Sequence, residues 1–169
     1  MRDIVLQHGA VAPISYILEQ AHPDTNFLRN ASWALSNLCR GTPTPVYHLV
    51  KKAIPALAKV IKENTHNDIL IDTCWAFSYL SDSGDEALKS IMEQNILPFL
   101  IKLLNHEDIA IVVPSLRTLG NIATAGEKET QAIVNEGVLV ALNNILFHYK
   151  KLVRKEACWT ISNITAGSS

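Results

Sequence analysis

Apolar residues along the chain recur three or four positions apart, the spacing of one helix face, and no stretch alternates as a half-buried strand would. Four segments align without gaps: NASWALSNLCR (30–40), DTCWAFSYLSD (72–82), PSLRTLGNIAT (114–124) and EACWTISNITA (156–166). Trp33, Trp75, Arg117 and Trp159 share one register in them, 42 residues apart at each step. Asn37, Tyr79, Asn121 and Asn163 keep the same step, as do the apolar sets Leu35, Phe77, Leu119, Ile161 and Leu38, Leu80, Ile122, Ile164. These four segments are predicted as long anchor helices.

Two further markers share the period. The segments GAVAPISYIL, KAIPALAKVI, NILPFLIKLL and GVLVALNNIL predict helices opening at positions 13, 55, 98 and 140, with proline at the first three, where a helix can spare an N–H. Gly41, Gly84, Gly126 and Gly167 follow the anchor helices and are expected as C-terminal caps. A shorter helix precedes the proline marker, as in GDEALKSIMEQN (84–95) and GEKETQAIVNEG (126–137). Pro114 is expected to open or kink the third anchor helix.

Repeats of roughly 40–47 residues with two or three helices point to HEAT or armadillo solenoids, and three helices favour armadillo. The expected fold is therefore all-α, a right-handed superhelical armadillo solenoid. It forms one array over residues 1–169, with repeats near 1–41, 42–83, 84–125 and 126–169. The chain starts inside a short helix and stops just after an anchor helix, so it reads as a piece of a longer array. Uncapped end faces predict self-association.

Composition narrows the function classes. Of 169 residues, 48% are hydrophobic and 18% charged, and no apolar run approaches a membrane span. The N-terminus MRDIVLQHGAVAP does not read as a signal peptide, so a cytoplasmic or nuclear location is expected. A formal net charge of −1 argues against binding nucleic acid by phosphate neutralisation. Cys39, Cys74 and Cys158 form no Cys-x-x-Cys pair; Cys74 and Cys158 share a register and read as small packing residues. Histidines at 8, 22, 48, 66, 106 and 148 form no metal-binding pair. No Ser/His/Asp, metal or phosphate-loop constellation is present, which leaves an enzyme and a cofactor without support.

The anchor register carries the candidate chemistry. Each Trp/Asn pair is separated by four residues and so lies on one helix face, making a ladder when the helices stack. Stacked helices sit ~8–10 Å apart and an extended peptide advances ~3.3 Å per residue, so a ligand meets a rung about every third residue. Each Asn amide can clamp a peptide N–H and C=O, while neighbouring Trp rings accept the stems and charges of Lys or Arg. Asp72 and Glu156, each three residues before a Trp, are candidates to meet the charged heads. The competing reading makes the Trp a core residue and the Asn a cap. Arg117 in the same register favours the exposed reading, because arginine is costly to bury. The ladder is uneven, with Tyr79 and Arg117 breaking its middle.

The segments RKEACWTISNITAG (154–167), CWAFSYLSD (74–82), SLRTLGNIAT (115–124) and LRNASWALSNLCR (28–40) closely resemble the importin-α family, and the order of rungs matches that family's repeats four to seven. The resemblance implies an adaptor that binds basic nuclear localisation signals in a concave groove and links cargo to importin-β through a segment absent from this sequence. It further implies that Asn30, Trp33 and Asn37, with Asp72 nearby, belong to the end of a major site. Arg117, Asn121, Glu156, Trp159 and Asn163 would belong to a minor site, with Thr124 and Thr130 near its lysine pocket. Trp75, Tyr79 and Arg117 would fall in the linker between the sites. A general scaffold of the β-catenin kind is the alternative, although the Lys/Arg rows such a groove uses on acidic partners are missing here. An RNA-binding helical repeat is disfavoured by period and charge.

Overall fold

A computed structural model describes residues 1–20, 25–63 and 65–166; His22 and Gly167 lie outside the described residues. The chain folds as helices alone, with no strand among the described residues, in four successive triplets. The first comprises α1 (Arg2–Gln7), α2 (Val11–Glu19) and α3 (Thr25–Cys39), and the second α4 (Tyr47–Val50), α5 (Ala53–Glu63) and α6 (Asn67–Ser81). The third holds α7 (Asp85–Glu93), α8 (Leu97–Leu103) and α9 (Ile109–Ala123), and the fourth α10 (Glu127–Asn135), α11 (Val138–Ile145) and α12 (Lys151–Ala166). The long helices α3, α6, α9 and α12 carry the anchor segments. Each packs most extensively on the next, which stacks the triplets into an armadillo-type solenoid. No helix among the described residues is long and apolar enough to cross a membrane.

The apolar registers form the core. Leu35, Phe77 and Leu119 are fully buried, and Leu38, Leu80, Ile122 and Ile164 are buried beside them. Ile161 is half-buried. Hydroxyls on the stacking faces are satisfied within their own helices: Thr73 donates to the carbonyl of Ile69, Ser115 to Ile111 and Thr118 to Pro114. That arrangement lets these three residues sit in the core without an unpaired proton, whereas the buried Ser15 hydroxyl on α2 has no partner among the described residues.

Several local expectations change. The prolines fall inside the first helical turn, Pro98 at the second position of α8 and Pro13 and Pro55 at the third of α2 and α5. All three positions belong to the turn whose N–H groups have no helical acceptor, so the chemistry holds while the start moves by one or two residues. Pro114 neither opens nor ends α9 but sits buried in its interior, and its missing N–H cannot reach the carbonyl of Ala110. The start of α9 is set instead by Asp108, whose carboxylate accepts from the N–H of Ala110 at 2.9 Å.

Gly84 and Gly126 are not C-terminal caps. The residues after α6 and α9 are Asp82 and Thr124, both with negative φ, and the glycines come two positions later, as N-caps of α7 and α10. Their φ of 107° and 154° with ψ near 180° suit glycine alone, and this is where the chain swings from an anchor helix into the next short one. Cys158 also departs from expectation. Ser32, Cys74 and Leu116 in its register are buried where a following anchor helix packs, but Cys158 is exposed because none packs on that face of α12.

Phe77, in the C-terminal half of α6, is the largest fully buried side chain among the described residues. Phe77→Ala is expected to cost about 3–5 kcal/mol, read as a lower urea midpoint for loss of helical circular dichroism.

Candidate functional site

The ladder positions of the four anchor helices share one side of the array. Trp33 is 60% exposed and Trp159 40%, while Trp75 and Tyr79 are half-buried. Asn30, Asn37 and Arg117 are exposed, and Asp72, Asn121 and Asn163 half-buried. The register therefore faces outward.

Three cavities follow one another along this side. The first, about 440 Å³, lies between α3 and α6 and is lined by Arg29, Asn30, Trp33, Asp68, Ile71 and Asp72. The second, about 340 Å³, shares Trp33 and Asp72 with the first and reaches Asn37, Arg40, Trp75 and Tyr79. The third, about 480 Å³, shares Tyr79 and continues to Arg117, Asn121, Lys155, Glu156 and Trp159. Shared walls make them one trough running from α3 to α12.

The two ends of this trough differ in charge. At α3/α6, Asp68 and Asp72 stand one helical turn apart and face a single cation, with Arg29 Nη1 3.0 Å from Asp68 Oδ2. Burial, reinforced by the Asp68 charge and opposed by Arg29, pushes the Asp72 carboxyl up to about 6. At α9/α12, charges are matched: the Arg117 guanidinium forks onto Glu156, Nε to Oε2 at 3.2 Å and Nη2 to Oε1 at 3.1 Å. Arg117 also lies over the Trp75 ring, 5.6 Å from its centroid, and Trp75 stacks on Tyr79 at 5.7 Å. A chain of contacts Tyr79–Trp75–Arg117–Glu156 thus ties three anchor helices together. The buried Glu156 carboxylate is already paired, not open to an incoming cation as its position suggested.

The asparagines are also partly committed. Asn121 Nδ2 donates to the Ser78 carbonyl at 3.2 Å and to Ser81 Oγ at 2.9 Å, which uses both its amide protons. Asn163 Nδ2 donates to the Gly120 carbonyl at 3.1 Å. These two amides stitch an anchor helix to the one before it, with both protons of Asn121 and one of Asn163 engaged. Thr124 is exposed and donates to the Asn121 carbonyl at 2.7 Å. Thr130 is buried, its hydroxyl held by the carbonyls of Ala123 and Gly126, and neither threonine lines the trough.

Sequence reasoning missed Arg29, Asp68, Arg40, Asp82 and Lys155 among the charged residues that line the trough. Asp68 was findable, since it lies one turn before Asp72 on the same face. It also missed the residue just before each rung, Ser36, Ser78, Gly120 and Ser162, which is small every time. That smallness admits the next helix: a Cβ on Gly120 would lie 2.3 Å from Cζ3 of Trp159. Among the described residues, no cluster of three or more His, Cys, Asp or Glu could hold a metal.

The armadillo/beta-catenin-like repeat model matches residues 1–40, 85–124 and 127–166, and a HEAT-like repeat model matches 26–80. The chain is 44% identical over 168 residues to importin subunit alpha-1a of Oryza sativa subsp. japonica, covering 99% of this chain and 32% of that protein. It is 43% identical over 161 residues to importin subunit alpha-3 of Arabidopsis thaliana, covering 94% and 30% respectively. It therefore spans about a third of the length of these relatives. Among solved structures, a designed armadillo repeat protein in complex with peptide (KR)4 superposes with a TM-score of 0.88 at 22% identity, over 99% of this chain and 70% of that one.

Two outcomes follow from this geometry. Because the folded state holds a proton on Asp72 up to about 6, above the ordinary carboxylate value, its charge weakens the fold above that pH, and the penalty fades as pH falls toward 4. Asp72→Asn is expected to stabilise the chain by on the order of 1 kcal/mol near pH 7, after allowance for its half-exposed setting, and by almost nothing near pH 4. Urea unfolding of both forms at the two pH values measures this. Gly120→Ala is expected to displace the Trp159 ring and cost about 1–3 kcal/mol in the same assay, with an altered tryptophan emission.

Proposed function

The chain belongs to the armadillo/β-catenin-like repeat family, and on that premise we propose that it is a peptide-binding adaptor taking basic nuclear localisation signals in the α3–α12 trough. The observation that carries this reading is the mismatch at its α3/α6 end, where Asp68 and Asp72 meet one arginine beside the exposed face of Trp33. A lysine or arginine entering there lays its methylene stem on the Trp33 ring and brings the charge that the second carboxylate lacks. Asn30 and Asn37, exposed on α3, are placed to hold the backbone of the same peptide. The likeness to importin subunits alpha across 94–99% of the chain supports the same class of cargo.

In this reading the trough holds two half-sites. Asn30, Trp33, Asn37 and Asp72 serve one, and Asn121, Trp159 and Asn163 the other. Between them Arg117 takes from within the chain the place of a ligand cation, filling the slot made by Trp75 and Glu156. Tyr79 closes that interval by its stack on Trp75. Glu156 then acts through Arg117, and Thr124 and Thr130 brace the end of α9. The adaptor passes cargo on through importin-β, bound by a segment outside this sequence, and works in cytoplasm and nucleus. A general scaffold for acidic partners is the competing role.

The test is a fluorescence-anisotropy titration of the whole chain with a fluorescein-labelled peptide bearing a cluster of lysines and arginines. Trp33→Ala and Asp72→Ala are each expected to weaken binding about tenfold or more. An isotherm indifferent to both substitutions would sink the proposal. An acidic peptide whose binding is lost in Trp33→Ala would establish the scaffold role instead.

A further inference from the structure

The link between α11 and α12 carries exposed aromatic side chains that solenoid packing does not explain. Phe147 is 83% exposed and Tyr149 76%. In the alignment set by the α2, α5, α8 and α11 segments, Phe147 corresponds to Gln20, Lys62 and Asn105, and Tyr149 to Glu107, all polar. Lys62, Asn105 and Glu107 are themselves exposed although another triplet follows each of them, so stacking does not cover this position. Val140, in the first turn of α11, is also exposed.

The aromatic pair is held in place. Arg154 reaches back from α12, and its Nη1 donates to the carbonyls of His148 at 2.6 Å and Tyr149 at 3.1 Å. The backbone N–H of Lys150 donates to His148 Nδ1 at 3.1 Å, and the His148 and Tyr149 rings stack at 4.6 Å. A loop tied at three points presents its side chains with little ordering cost on binding.

Its charge is one-signed. Lys150, Lys151 and Arg154 place three cations within five residues, with no acid among them, in a chain whose net charge is −1; Lys155, next along, lines the trough instead. Lys150 Nζ lies over the Tyr149 ring at 5.3 Å. The first acid beyond this run, Glu156, is buried against Arg117 and cannot neutralise it. α6 carries Asp68 in its first turn and α9 is N-capped by Asp108, acids where a helix start prefers them, whereas α12 has none in its first turn and Lys150 stands before it. Arg154 is spent on the loop carbonyls, and Lys150 and Lys151 are left with no acid in the run to balance them, a pair that an anionic partner would match.

We propose that Phe147 and Tyr149, flanked by Lys150 and Lys151, form a second docking surface for an acidic segment of a protein partner that inserts one apolar side chain. Aromatic anchors supply the desolvated centre of such a contact, and the lysines supply the rim that selects acid and speeds encounter. This surface is separate from the trough and takes the opposite charge.

The probe is a labelled peptide of Glu and Asp residues around one central Phe or Leu, titrated onto the whole chain by anisotropy. Three comparisons accompany it: the same peptide with Ser at the centre, a single-stranded oligouridine of similar charge, and the basic peptide. The anchored acidic peptide is expected to bind at least about tenfold more tightly than its Ser form and not to be displaced by the basic peptide. Phe147→Ser with Tyr149→Ser should remove that preference, and Lys150→Glu with Lys151→Glu should abolish binding and flatten its salt dependence. Basic-peptide binding should be unchanged in both variants, so the trough reading stands or falls separately. No binding of the acidic peptide, equal binding of the Ser form, or tighter binding of oligouridine lost in the same variants would each overturn the proposal.

Discussion

Every other feature of this array depends on how closely one anchor helix can lie against the next. The residue that precedes each rung is serine or glycine, and at Gly120 that gap lets α12 bring Trp159 and Asn163 onto the backbone of α9. The Trp159 ring covers the place of an absent Gly120 Cβ, and Asn163 reaches the Gly120 carbonyl beside it. Asn121 makes the corresponding reach to Ser78. A larger side chain there would push the helices apart, widen the trough and break the stitches together. Packing and site are here one constraint, because the residues that space the helices also shape the cavities between them.

Within that spacing, electrostatics divides the trough. Arg117 satisfies a buried carboxylate and an aromatic face at once, and a pair so placed is costly to break because the remaining charge stays buried. The α3/α6 end has the opposite design, two carboxylates with one guanidinium between them. One end is electrostatically complete and the other is not. The uneven ladder thus reflects where the chain supplies its own cation and where it leaves the place to another molecule.

The period, the helix-only fold and the outward turn of the ladder were legible because they rest on local spacing. A residue four positions from Trp33 shares its face whatever the tertiary structure does. What escaped the sequence depends on distant partners or on exact cap geometry. Arg117 and Glu156 are 39 residues apart, and only the stacked helices bring them together. Thr130 was expected near a lysine pocket, but its hydroxyl is buried on the carbonyls of Ala123 and Gly126, contacts that only the turn at Gly126 creates. Gly84 and Gly126 were expected as C-terminal caps, yet whether a glycine ends one helix or starts the next is settled by φ and ψ, which spacing does not encode. Cys158 matched Cys74 in register but not in burial, since burial at that position comes from the following helix rather than from the residue itself.

The backward reach of Asn121 and Asn163 has a consequence for how such arrays lengthen. Each donates to a main-chain carbonyl of the preceding anchor helix, an acceptor that every residue type provides. A unit therefore carries its own donor and asks of its neighbour only a small side chain. Copying a stretch of the gene copies the joint with it, and a newly inserted unit finds its acceptor ready on whatever helix it lands beside. Joints of this kind allow duplication first and divergence of the rungs afterwards, which suits an array where one position holds tryptophan in three units and arginine in the fourth.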